Sequence, residues 1–156
     1  NNLIDMIVQI RPTTPFRDPK VIDEAIKIFK KKRKQFTGLR SVFEMSETAW
    51  KTFELKKNYL LPLSKNLFKN KCFESSSLPR QALPKTYIGQ GYVDIVKPEV
   101  IKKGQTYGPK AYGFVSKDVG EIDNKDDLEK IRNDKKYKKL KIFKFLKSFK
   151  RKNIKI

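Results

Sequence analysis

The sequence predicts an α/β domain, and three observations carry that expectation. Leu3 to Ile10 (LIDMIVQI) is a nearly continuous apolar run of strand length. A helix signal follows it directly, with Asp18 as N-cap, Pro19 at the first helical position, and Val21, Ile22, Ala25, Ile26, Ile28 and Phe29 supplying an apolar face. Further strand-like runs and a second helix signal then recur along the chain.

Taken in order, Leu3–Ile10 has the pattern of a strand covered on both faces in a parallel sheet. Two prolines in RPTTPFR make a rigid turn into the helix, so strand, loop and helix read as half of a βαβ unit that needs a parallel neighbour. LRSVFEM, Leu39 to Met45, follows Gly38 as the next strand. From Ser46 to Thr86 the chain is polar and broken by prolines, with no sustained period, and a loop of that size is usually functional or meets a partner. Strands resume at GYVDIV, Gly91 to Val96, and at AYGFV, Ala111 to Val115. EIDNKDDLEKIRND then starts a helix with its cap at Asp123 or Asn124. These strands are too few for a complete doubly wound sheet.

Composition excludes several chemistries. The 156 residues hold one cysteine, Cys72, and no histidine, so an internal disulfide, a common zinc site and a histidine proton shuttle are all ruled out. No apolar run is long enough to cross a bilayer, and the opening residues lack a signal-peptide pattern, which makes the cytoplasm the expected location. The formal net charge is +20, yet Lys130–Ile156 alone carries 13 of the 37 basic groups against one acid, Asp134. Much of the excess is therefore a tail property and a lysine-rich compositional bias. No specific nucleic-acid partner follows from it.

Five stretches, in order, resemble blocks of the acylneuraminate cytidylyltransferases, the CMP-sialic acid synthetase family. They are RPTTPFR (Arg11–Arg17), RSVFEMSETAWKTFE (Arg40–Glu54), LPRQALPKTY (Leu78–Tyr87), GYVDIV (Gly91–Val96) and EIDNKDDLEKI (Glu121–Ile131). The likeness spans Leu3 to about Asn133 and corresponds to the carboxyl-terminal two-thirds of that family. It implies a Rossmann-like, three-layer nucleotidyltransferase fold that is partial here, the amino-terminal nucleotide-binding third being missing. Residues 1–45 and 88–134 would form part of the α/β core, 46–87 an insertion for dimerisation and substrate covering, and 135–156 a basic amphipathic tail.

The resemblance implies roles for particular residues. A planar guanidinium grips a carboxylate through two parallel hydrogen bonds, which lysine cannot do. Arg80 in PRQALP matches the arginine that contacts the sugar-acid carboxylate, and Lys51 in AWKTF matches a second cation for the same substrate. By residue type alone, both read first as two solvated charges among 37, and the ordered blocks reverse that reading. Arg11, Gln81 and Gln90 stand at further substrate-binding positions, Arg11 where sialate-specific members have glutamine. In Glu121-Ile122-Asp123, alternate residues of an extended segment can share one hard cation. The family holds Mg²⁺ with Asp-x-Asp there, whereas this chain has the longer Glu121 first. Asp123, Arg80 and Lys51 are the catalytic candidates.

The implied enzyme activates a nine-carbon 2-keto sugar acid with CTP, giving the CMP-sugar and pyrophosphate. Sialic acid and a legionaminic- or pseudaminic-like relative fit equally. Its partners are then CTP, a nonulosonic sugar acid and, in a homodimer, a second copy, with Trp50, Phe53, Leu60, Leu61, Leu63, Leu67 and Phe68 as interface or core residues. No glycine-rich loop for the CTP phosphates occurs in these residues, so this polypeptide alone is expected to be inactive. The tail has Leu140, Phe143, Leu146 and Phe149 at three-residue spacing among lysines, a pattern that fits a weakly docked helix or weak contact with an anionic membrane. The competing class is a non-catalytic basic module that binds nucleic acid or an anionic membrane surface and retains part of the enzyme fold.

Overall fold

The computed structural model describes residues 4–67 and 74–134, together with residues 139, 144, 145 and 148. Cys72, Phe68 and the tail residues Leu140, Phe143, Leu146 and Phe149 lie outside the described residues. The chain divides into two compact units, one of Asn1–Val42 with Gly89–Ile156 and one of Phe43–Ile88.

The elements run β1 (Ile7–Gln9), α1 (Pro19–Lys32), β2 (Gly38–Glu44), β3 (Phe53–Lys56), β4 (Tyr59–Pro62), β5 (Tyr87–Val96), α2 (Pro98–Lys102), β6 (Ala111–Val115) and α3 (Lys125–Asn133). Four strands form a sheet in the order β1-β5-β2-β6. β2 and β6 are parallel, from Gly38 opposite Ala111 to Val42 opposite Val115, while β1 is antiparallel to β5, with Gln9 opposite Asp94. Gly38 lies beside Ile95, and the Ser41 hydroxyl meets Gln90 and Val93, so β2 and β5 run in opposite senses. The sheet is thus mixed, and the protein is of the mixed α/β class.

The core of this first unit forms where α1 lies on the sheet. Asp18 caps α1 by accepting from the Lys20 N–H at 3.0 Å, and Lys30, Lys31 and Lys32 close the helix at its negative dipole end. Ala25 and Phe29, one helical turn apart, are buried with Leu39, Val93, Ile95 and Phe114. Burying a side chain of the size of Phe29 contributes about 1.5–3 kcal/mol. At the far end of the chain the Asn124 side chain caps α3 by accepting from the Asp127 N–H at 2.9 Å.

Leu3–Ile10 departs from its expected form. β1 is a three-residue edge strand whose neighbour runs antiparallel, and of the run only Met6 and Val8 are seen to pack on the core, with Ile4 and Ile10 exposed. A short apolar run looks the same whether one face or both are covered, and Pro12 ends the pairing early.

The second unit, taken by itself, contains strands where the sequence showed no period. β3 and β4 pair antiparallel through a two-residue turn, with Lys56 opposite Tyr59. Lys57 and Asn58 both have positive φ, 46° and 66°, as this tight hairpin turn demands. Short 3₁₀ turns at Ala49–Lys51, Leu63–Asn66, Glu74–Ser77 and Arg80–Ala82 make up much of the rest. Lysine is poorly suited to the left-handed region, at a cost of roughly 1–2 kcal/mol. Replacing Lys57-Asn58 by Asn-Gly should therefore raise stability by about 1 kcal/mol in chemical denaturation.

Candidate functional site

In the first unit the loop after β1 is built around Arg17. The Arg17 Nε donates to the Tyr92 carbonyl at 2.6 Å and Nη1 to the Thr14 carbonyl at 2.5 Å. Nη2 donates to the Gly91 carbonyl at 2.7 Å and also to the Arg11 carbonyl. One guanidinium thus satisfies two carbonyls of its own loop and two of β5, using the fork of fixed N–H groups that distinguishes arginine. Burial lowers the Arg17 pKa from its ordinary value, and the nearby Tyr92 and Glu121 oppose that shift. The Tyr92 hydroxyl accepts from the Asp18 N–H at 2.7 Å, which fixes the far end of the loop where α1 begins.

Glu121 reaches the same place from the other direction. Its Oε1 accepts from the Gly91 N–H and, at 3.5 Å, from the Thr14 hydroxyl, while the Ile122 N–H donates to the Thr13 carbonyl at 2.9 Å. Gly91 is required by this approach, because a Cβ there would stand 2.9 Å from Thr14 Oγ1 and closer still to Glu121 Oε1. Asp123 is exposed, and its N–H donates to Asp127 Oδ2 at 3.3 Å. No group of three or more Cys, Asp or Glu side chains able to hold a metal occurs among the described residues. With Glu121 Oε1 spent on N–H and O–H donors, Asp123 is the open carboxylate of the pair. One carboxylate with waters and phosphate oxygens is within the usual Mg²⁺ repertoire.

Arg11 and Gln90 are both committed to protein groups. Arg11 Nη2 pairs with Asp94 Oδ2 at 3.3 Å, and the Tyr107 hydroxyl donates to the same oxygen at 3.0 Å. Burial, followed by the charge of Asp94 and the hydrogen bond to it, raises the Tyr107 pKa. The Arg40 guanidinium stacks 4.9 Å from the Tyr107 ring centroid. Gln90 is buried, its Nε2 donating to Ser116 Oγ at 2.6 Å and to the Lys117 carbonyl at 3.2 Å. Asp94, Tyr107 and Arg17 were missed as site residues by sequence reasoning. A lone carboxylate inside the buried run YVDIV was the one available signal for Asp94.

In the second unit, Arg80 donates from Nη2 to the Met45 carbonyl at 3.0 Å and lies 3.6 Å from Glu44 Oε1. The other Glu44 oxygen takes Lys85 Nζ at 2.9 Å, and that hydrogen bond raises the Lys85 pKa. A single contact at 3.6 Å is not a bidentate grip, so the half-exposed guanidinium can still receive a carboxylate. Gln81 is exposed, and Lys51 is half-buried in the turn capped by Thr48.

A separate feature of the first unit is a cleft of about 670 Å³ at the end of the sheet where β2 begins and β5 finishes. Arg33, Lys34, Lys97 and Lys103 line it, with Glu99 the single acid. No protein-family model matches the chain, and no curated protein matches it in sequence.

Two predictions follow from this geometry. Arg17→Lys cannot serve four carbonyls and should cost roughly 2 kcal/mol or more in chemical denaturation, well beyond an exposed Arg→Lys change. Tyr92 and Tyr107 both have pKa values raised above the ordinary 10.0 by burial, so the folded state prefers the neutral phenol. Their contribution is present in full below about pH 10 and is lost as pH rises through the raised values. Stability should therefore fall above about pH 10, and Tyr107→Phe should make that fall shallower.

Proposed function

We propose that this chain forms the sugar-acid side of a cytoplasmic cytidylyltransferase, which activates a nine-carbon 2-keto sugar acid with CTP and releases pyrophosphate. The observation that carries this reading is the convergence of three separated sequence blocks. RPTTPFR, GYVDIV and EIDNKDDLEKI meet through Arg17, Gly91 and Glu121, although the paired residues lie 30 to 107 positions apart. The mixed α/β sheet is compatible with a nucleotidyltransferase fold.

In this reading the anomeric hydroxyl of the sugar acid attacks the α-phosphorus of CTP in line, and pyrophosphate leaves from the opposite side. Arg80 takes the substrate carboxylate in place of Glu44, and Lys51 supplies the second cation. Pro79 and Pro84 stiffen the loop that carries Arg80 and reduce the entropy lost on binding. In the first unit Arg11 would meet the sugar acid through its pair with Asp94, with buried Gln90 supporting the strand behind it, and in the second unit Gln81 would stand beside Arg80. Asp123 would hold Mg²⁺ with water and phosphate oxygens, Glu121 being drawn inward to the Gly91 N–H, and the ion would supply charge neutralisation at the phosphates. With no histidine present, positioning carries much of the rate.

The exposed apolar side chains Phe53, Leu55, Tyr59 and Leu60 of the hairpin support a homodimer through the second unit. Sedimentation should then show a dimer that Leu55→Asp with Leu60→Asp converts to monomer. The basic cleft favours a second reading, a module for polyanions, in which DNA binding is steeply salt-dependent and falls when Lys97 and Lys103 are neutralised.

The test of the first reading is CMP-sugar formation by a polypeptide that carries a phosphate-holding loop ahead of Asn1. Arg80→Ala should lower kcat/KM by about 100-fold or more, chiefly through the sugar acid. Unchanged turnover would remove Arg80 from the site.

A further inference from the structure

Asp94 is the one buried carboxylate among the described residues, 5 % exposed on β5 opposite Gln9 of β1. Its Oδ2 takes both the Arg11 guanidinium, at 3.3 Å, and the Tyr107 hydroxyl, at 3.0 Å. Its Oδ1 is buried without a hydrogen-bond partner among the described residues. Buried carboxylate oxygens are normally satisfied, so an unpaired one asks for a donor from outside the chain. Asp94 also forms part of the wall of a cleft of about 580 Å³, with Ile7, Val96 and Ile101 as apolar walls and Gln9 and Gln105 as polar ones. Apolar walls with one or two fixed polar groups suit a sugar, which presents C–H faces and hydroxyl edges.

The surrounding charges select the kind of donor. Arg11 pairs with Asp94 and Arg40 stacks on Tyr107, the other partner of Asp94, so two guanidiniums face one carboxylate there. An ammonium or a metal ion would meet net repulsion, whereas a hydroxyl brings a hydrogen and no charge. We infer that Asp94 is the specificity-determining acceptor of the sugar site: its Oδ1 takes a hydroxyl hydrogen of the bound sugar acid, so the site selects acids hydroxylated at that carbon over relatives deoxygenated there. Arg11 and Tyr107 are positioning residues that hold Oδ2 and thereby aim Oδ1. This inference rests on the sugar-acid reading above and names the feature of the sugar that is recognised.

The experiment titrates N-acetylneuraminic acid and its monodeoxy analogues into the isotope-labelled full chain, as wild type, Asp94→Ala and Asp94→Asn. In the wild type, one analogue should bind at least about tenfold more weakly than the parent, because it leaves the carboxylate oxygen unpaired. In Asp94→Ala the parent and that analogue should bind about equally, the coupling a double-mutant cycle reads. Asp94→Asn keeps an oxygen in the same volume and should retain part of the discrimination. It also decides the matter should Asp94→Ala fail to fold. Equal binding of all analogues by the wild type, or discrimination that survives in Asp94→Ala, would overturn the inference while leaving the sugar-acid reading intact. Absence of binding by the parent acid would overturn both.

Discussion

The Arg17 guanidinium, bracketed by the carbonyls of Arg11, Thr14, Gly91 and Tyr92, is the constraint on which the rest of the first unit depends. A loop with two prolines cannot use all of its backbone groups in a ladder, and buried carbonyls without donors would be costly. Arg17 supplies those donors from a single side chain. The loop is thereby fastened to β5, and Tyr92 fastens the start of α1 to the same strand. Glu121 closes the arrangement from the segment before α3, and Gly91 has no side chain because that closure leaves no room for one.

Charge is distributed with economy in a chain that is basic overall. Carboxylates are few, and three that adjoin candidate residues are engaged by donors: in the first unit Asp94 by Arg11 and Tyr107 and Glu121 by backbone and hydroxyl, in the second Glu44 by Arg80 and Lys85. Each therefore acts first as a strut. A strut can also be a recognition element where one oxygen is left over, as at Asp94, or where the cation it holds is only loosely paired, as at Arg80. Glu121 illustrates the limit of spacing arguments. Alternation predicts that Glu121 and Asp123 share a side, yet one is drawn inward by the Gly91 N–H and the other is exposed.

Local chemistry made some elements legible. Asp18-Pro19 and Asn124 are capping signals whose geometry is decided within a few residues, and α1 and α3 begin there. β5 was visible because most of its side chains are buried and apolar, and β2 and β6 because they are short runs carrying β-branched and aromatic residues. The hairpin of the second unit was not, since four-residue strands give too little alternation and Lys-Asn lacks the glycine that marks a tight turn. α2 is a single short turn of helix with no period to detect. At the site, Arg11, Gln90 and Glu121 could be named from their blocks, but their partners could not. Asp94 pairs with Arg11 and Arg17 with Gly91 across 83 and 74 positions, and nothing local in the chain announces those pairings or the bond from Tyr107 to Asp94.

In the proposed reading, the three blocks joined through Arg17, Gly91 and Glu121 make one sugar-acid site. Hydrogen exchange of backbone amides with and without N-acetylneuraminic acid, at physiological ionic strength, tests it most directly. A sugar-acid site there should slow exchange at residues 11–17, 90–94 and 120–122, and further salt should leave that protection in place. Protection confined instead to the lysine-lined end of the sheet, around residues 33–34 and 97–103, and erased by salt, would contradict it.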